Sequence, residues 1–73
     1  MLSVQQARDR RAALLVHDWC LKGYDAGRLV DELEAYASDP RHRDFTPHVV
    51  TALRQASLLP VMAAAAARRR PTN

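Results

Sequence analysis

The chain has 73 residues, enough for one small domain, and its single cysteine excludes a disulfide framework. Its longest apolar run, Leu58 to Ala67, contains Pro60 and falls short of the roughly 20 residues a membrane-spanning helix needs. The net charge of +3 belongs to one end: Arg68, Arg69 and Arg70 are three of eleven basic residues, and the other eight match the eight acids.

Taken from the N-terminus, the pattern predicts a first helix over about residues 3–22. Ser3 and Gln6 stand three apart and fit a capping box. Gly23 is placed to take the left-handed position past the last turn, with Tyr24 packing back. Two apolar stripes run along this helix. Ala12, Leu15, Val16, Trp19 and Cys20 follow the spacing of a core-facing stripe. Ala7, Leu14 and Leu21 repeat every seventh residue on another side, with Arg11, Asp18 and Lys22 between the stripes at ion-pair spacings. A chain this short has few other helices to cover both sides.

The most self-consistent stretch is Asp25 to Pro40, which predicts a second helix over residues 26–38. Asp25 caps it, Leu29, Val30, Leu33, Tyr36 and Ala37 recur at helical spacing, and Pro40 disfavours helical geometry at Asp39. Its outer face is acidic, with Asp31, Glu32 and Glu34 opposed by Arg28 alone. The segment Asp39 to Phe45 is the longest irregular one. It holds a basic cluster at Arg41, His42 and Arg43, and Phe45 is expected to plug the core as a staple against Val50.

A third helix is expected over residues 47–58, with Thr46 as N-cap and Pro47 at its first position. Val49, Val50, Leu53 and Ala56 give its inward face, and His48, Thr51, Arg54 and Gln55 its outward one. Pro60 can open a short fourth helix through the alanines, followed by a basic tail whose last residues, Pro71 to Asn73, are expected to be disordered. No strand signal, repeat or glycine-rich loop is present. The fold class is therefore all-α: a three-helix domain over residues 1–59, with an Ala-rich, optionally helical segment over residues 60–73. The layout of short helices with LKGY, Leu21 to Tyr24, between the first two resembles ubiquitin-associated domains, and no motif carries a residue role over from them.

The chemistry these residues offer is narrow. Cys20 has His17, the one base near it in sequence, three residues before it, where the two could meet on the helix surface; a packed, inert thiol is the plainer account. His17, Cys20, His42 and His48 lack the tight spacing of a zinc site. No catalytic residue, metal, cofactor, small-molecule substrate or membrane contact is expected. No clean apolar run and cleavage site follow the early arginines, so a cytoplasmic protein is expected.

Protein–protein interaction fits most features at once. Leu14, Trp19, Leu21 and Tyr24 are the expected partner-binding residues, because helix 1 has a second stripe and Trp and Tyr are enriched at interface hot spots. The expected partner is a second copy or a larger protein, in a regulatory, adaptor or inhibitor role. The alternative is a DNA-binding regulator. It would read DNA through helix 3 with His48, Thr51, Arg54 and Gln55, supported by Arg41, Arg43, Arg68, Arg69 and Arg70. The neutral domain, the acidic second helix and the long connection before helix 3 stand against it.

Overall fold

The computed structural model describes residues 3–69. Four α-helices follow one another: α1 (Val4–Leu21), α2 (Ala26–Ser38), α3 (Thr46–Gln55) and α4 (Leu59–Arg69), with a single 3-10 turn at Arg43–Phe45 leading into α3. The fourth helix is formed, so the all-α fold is a four-helix one. Its helices pack in two pairs: α1 lies along α3 and α2 along α4, while α3 also meets α2 and α4 and joins the pairs. The chain turns by 108° between residues 43–55 and α4. The result is elongated, 50 × 25 × 18 Å, with a radius of gyration of 13.0 Å.

The helix ends explain where the elements stop. Ser3 Oγ accepts from Gln6 N at 3.1 Å and Gln6 Oε1 accepts from Ser3 N at 3.0 Å, which completes the capping box. Asp25 Oδ1 accepts from Arg28 N at 2.8 Å and starts α2. At the end of α1, Gly23 takes φ +76°, its N–H donates to Cys20 O, and Tyr24 N–H donates to Trp19 O. This is the Schellman arrangement, in which two orphan carbonyls are satisfied and the chain reverses.

The same arrangement recurs at the end of α3 with no glycine. Ser57 stands at φ 61°, Ser57 N–H donates to Arg54 O, and Leu58 N–H donates to Leu53 O at 2.9 Å. A side chain in the left-handed region costs about 1–2 kcal/mol. Leu58, packed on the core, and the helix-breaking Pro60 hold the turn in place.

Each helix contributes to one core: Ala12, Val16 and Trp19 from α1, Leu29 and Val30 from α2, Val49, Ala52 and Leu53 from α3, and Met62 and Ala65 from α4. Among the described residues, none that is buried is polar or charged. Phe45 packs on this core, half-buried, but it is itself the N-cap of α3 and so does not stand at the position before the cap that the expected staple against Val50 needs. The structure departs from the sequence pattern at four further places. Thr46 is not the N-cap of α3; the 3-10 turn runs straight into the helix, and the Thr46 hydroxyl instead donates back to His42 O at 3.1 Å. Ala56 faces solvent, because α3 ends before it. Helix α4 starts one residue early, at Leu59, which makes Pro60 its second residue, where a missing N–H is still harmless. Cys20 is exposed, since it sits at the edge of the inner stripe of α1 and no helix covers it.

Two stability measurements follow from this packing. Replacing Leu53, which has no exposure, by alanine lowers stability by about 3 kcal/mol in chemical or thermal unfolding. Ser57→Gly raises it by about 1 kcal/mol, because glycine removes the left-handed penalty at no loss of contact.

Candidate functional site

On α1, residues two positions from a core residue lie about half a turn around the helix from it. Leu14 stands between Ala12 and Val16, and Leu21 follows Trp19 by two, so both point away from the core. Leu14 is 63% exposed, Leu21 72% and Val4 70%, and Ala7 is also exposed. The other large exposed apolar side chain among the described residues, Val61, lies on α4. The outward face of α1 therefore carries Ala7, Leu14 and Leu21 in line at two-turn spacing, with the exposed Arg10, Arg11, His17 and Asp18 beside them.

The structure separates the four expected partner-binding residues. Leu14 and Leu21 lie on the open face. Trp19 is 4% exposed and belongs to the core, where its ring meets Tyr36 edge-on at 6.4 Å, so it is not available to a partner. Tyr24 is half-buried at the end of the stripe, with Arg28 over its ring at 4.9 Å and Lys22 at 6.0 Å. Lys22 also pairs with Asp18 at 3.1 Å, and that hydrogen bond raises the Lys22 pKa. Arg11 does not pair with Asp18; its guanidinium lies over the Phe45 ring at 5.4 Å.

The residues named for the DNA reading are largely engaged within the chain. His48 is half-buried and its Nδ1 donates to Asp9 Oδ1 at 2.9 Å, tying α3 to α1 instead of facing outward. Thr51 Oγ1 donates to Pro47 O at 3.0 Å. Arg41 wraps onto Asp39, with its backbone N–H and Nη2 both 2.9 Å from the carboxylate. Arg69 reaches α2: it pairs with Asp31 and donates to Gly27 O at 2.7 Å. The acidic face of α2 is thus opposed by Arg69 as well as Arg28, which lies 3.0 Å from Glu32. The Arg69 hydrogen bond lowers the Asp31 pKa. Arg43, Arg54, Gln55 and Arg68 are exposed. Arg54 and Gln55 stand at the C-terminal end of α3, whereas a helix read into the major groove uses its N-terminal residues. Arg70 and Pro71 to Asn73 lie outside the described residues.

Three features have no signal in the sequence: the Arg69–Asp31 contact, the Asp9–His48 bond, and the stacking of Tyr36 on His42 at 4.2 Å. Each joins residues from different elements, and no local spacing signals it. Two grooves also open between helices. One, about 320 Å³, lies between α1 and α3 and brings His17 and Cys20 to its wall. The other, about 360 Å³, lies between α2 and α4 against Leu33, Leu59 and Met62. Among the described residues, no single helix is long and apolar enough to cross a membrane, and no group of three or more His, Cys, Asp or Glu residues is placed to hold a metal ion.

The class of object is a small all-α helical protein whose first helix exposes Leu14 and Leu21. No protein-family model matches the chain, and neither the curated proteins nor the solved structures compared with it gave a match.

The loop before α3 has a pH signature. Hydrogen bonds from the Arg41 side chain, and then its backbone N–H, lower the Asp39 pKa from 3.8 to about 2. A depressed acid contributes stability above its unfolded value and loses it as pH falls through the folded one. The Asp39 contribution is therefore complete above about pH 4 and fades toward pH 2. In a carboxyl-carbon NMR titration Asp39 should show a midpoint near 2, and Arg41→Ala should return it toward 3.8.

Proposed function

We propose that this chain is a small, non-enzymatic module that binds another protein through the outward face of α1, in a regulatory, adaptor or inhibitor role. The observation that carries the reading is the exposure of Leu14 and Leu21, 63% and 72%, in line on the side of α1 opposite the core. Isolated exposed leucines are ordinary on protein surfaces. An apolar line along one helix is different, because a single partner helix or groove can cover all of it at once. Burying a leucine side chain is worth about 1.5–3 kcal/mol relative to leaving it exposed. The charge pattern suits a protein partner. The domain is neutral without Arg68 to Arg70, and Asp18, Glu32 and Asp31 each hold a cation already.

Reading of DNA by α3 is the weaker account, since Arg41, His48 and Arg69 are held by carboxylates of this chain. Freeing them for phosphate would first break those contacts.

The test compares the wild type with Leu14→Glu/Leu21→Glu by solution mass and by the proteins that co-purify with a tagged full-length chain. The wild type should form a complex, with itself or with another protein. The double variant should lose it, keep its helical circular dichroism, and unfold within a few degrees of the wild type, since both side chains are exposed. A wild type that holds no partner by this face, or a double variant that unfolds, overturns the proposal.

A further inference from the structure

We infer that the occupant of the α1 face is a second copy of this chain, with the two α1 helices antiparallel about a two-fold axis at Leu14. The inference rests on the reading of that face as a docking surface and adds the partner and its direction.

The argument starts from symmetry. A two-fold axis makes the same patch on both copies meet itself. In an antiparallel pair centred on Leu14, each residue faces one equally far on the other side of position 14 in its partner. Ala7 and Leu21 are each seven residues from Leu14. The small side chain of Ala7 therefore meets the large one of the partner's Leu21, at both ends, while Leu14 meets its own copy. Small against large fills the gap evenly along the stripe.

The charges beside the stripe decide the direction. By the helical period of about 3.6 residues, Arg11 and Asp18 lie on one flank of the Ala7–Leu14–Leu21 line, with Lys22 beside them. Arg10 and His17 lie on the other flank. Antiparallel helices bring like flanks together, so Arg11, three residues before Leu14, comes within one residue, about 1.5 Å along the axis, of the height of the partner's Asp18, four after it, and Asp18 likewise of the partner's Arg11. The remaining flank sets Arg10 against the partner's His17. A parallel pair brings opposite flanks together at the same height, which places Arg10 beside the partner's Arg11, a like-charge contact that disfavours it. Asp18 holds Lys22 through Oδ2 and has Oδ1 outside that contact. Arg11 is exposed and rests over Phe45, from which a long side chain can swing. Residues 1–67 as a whole hold equal numbers of bases and acids, and the net +3 belongs to Arg68, Arg69 and Arg70.

The experiment uses the full chain. Solution mass is measured by light scattering over a concentration series for the wild type, Arg11→Asp, and Arg11→Asp/Asp18→Arg. In a Cys20→Ser background, Ala7→Cys and Leu21→Cys chains are oxidised separately and mixed. The expected results are a wild-type dimer, weakening on the order of tenfold in Arg11→Asp, recovery in the charge-swapped double variant, and disulfide formation chiefly in the mixed sample, between positions 7 and 21. A dimer that links 7 to 7 or 21 to 21 overturns the antiparallel assignment and leaves the docking face standing. A wild type that stays monomeric, yet loses another bound protein on Leu14→Glu/Leu21→Glu, overturns self-pairing alone. A monomer that holds nothing by this face overturns both.

Discussion

The structure depends on the position of α3. This helix has ten residues, and isolated helices below about 12–15 residues are marginal in water. Its stability comes from being held by the other three. Val49 and Leu53, four residues apart, have no exposed surface, and Ala52 between them is also buried. With α3 against α1 on one side and α2 and α4 on the other, each remaining helix has one packed side. For α2 and α4 the second helix of the pair supplies further cover. Helix α1 packs mainly on α3, with Trp19 also meeting Tyr36 of α2 and Arg11 lying over Phe45. The bare face of α1 is therefore a geometric consequence of how the core is built, and it is also the face where the sequence places Leu14 and Leu21.

The segment from Asp39 to Phe45 fixes how α3 is presented. Its backbone is organised by two carbonyl acceptors: Asp39 O takes His42 N–H, and His42 O takes both Phe45 N–H and Thr46 N–H along with the Thr46 hydroxyl. The His42 ring stacks on Tyr36, whose ring also meets Trp19 and Phe45, each at 6.4 Å. Phe45 in turn lies 5.4 Å from His48, which binds Asp9 of α1. A chain of aromatic contacts thus runs from α1 through α2 and the loop to α3 and back to α1. An irregular segment in sequence becomes one of the more connected parts of the fold, because its side chains, not a regular backbone ladder, supply the order.

What could be read from the sequence was what local chemistry decides. The Ser3–Gln6 box, the Asp25 cap, the Gly23 reversal and the break at Asp39-Pro40 each depend on residues within a few positions of one another, and each stands where expected. The two stripes of α1 were legible for the same reason, as periodicity alone separates Ala12, Val16 and Trp19 from Ala7, Leu14 and Leu21. What was not legible needed distance. Residue type points Trp19 toward a partner and spacing places it on the core stripe; the structure follows the spacing. The turn at Ser57 carries no glycine to announce it. Thr46 had the right type for a cap, but the preceding turn continued into the helix. Arg69 lies 38 residues from Asp31, and no window along the chain relates them.

Arg69 also changes how the surface should be understood. The sequence shows an acidic helix and a basic end, which suggests two opposed fields available to outside partners. Folding brings them together, so that Arg69 meets Asp31 while Arg28 meets Glu32 on the same helix. Exposed pairs of this kind contribute little to stability, typically up to about 1 kcal/mol each. Their larger effect is on the field outside, since neighbouring opposite charges cancel within roughly a Debye length, about 8 Å at physiological salt. Where charges are paired in this way, along α2 and the end of α4, that part of the surface steers partners weakly from a distance. Discrimination then falls to contact: the fit of apolar side chains and the match of the few charges beside them. On this chain the two features occur together along α1, the face proposed above as the docking surface, where the exposed Leu14 and Leu21 are flanked by Arg11 and Asp18.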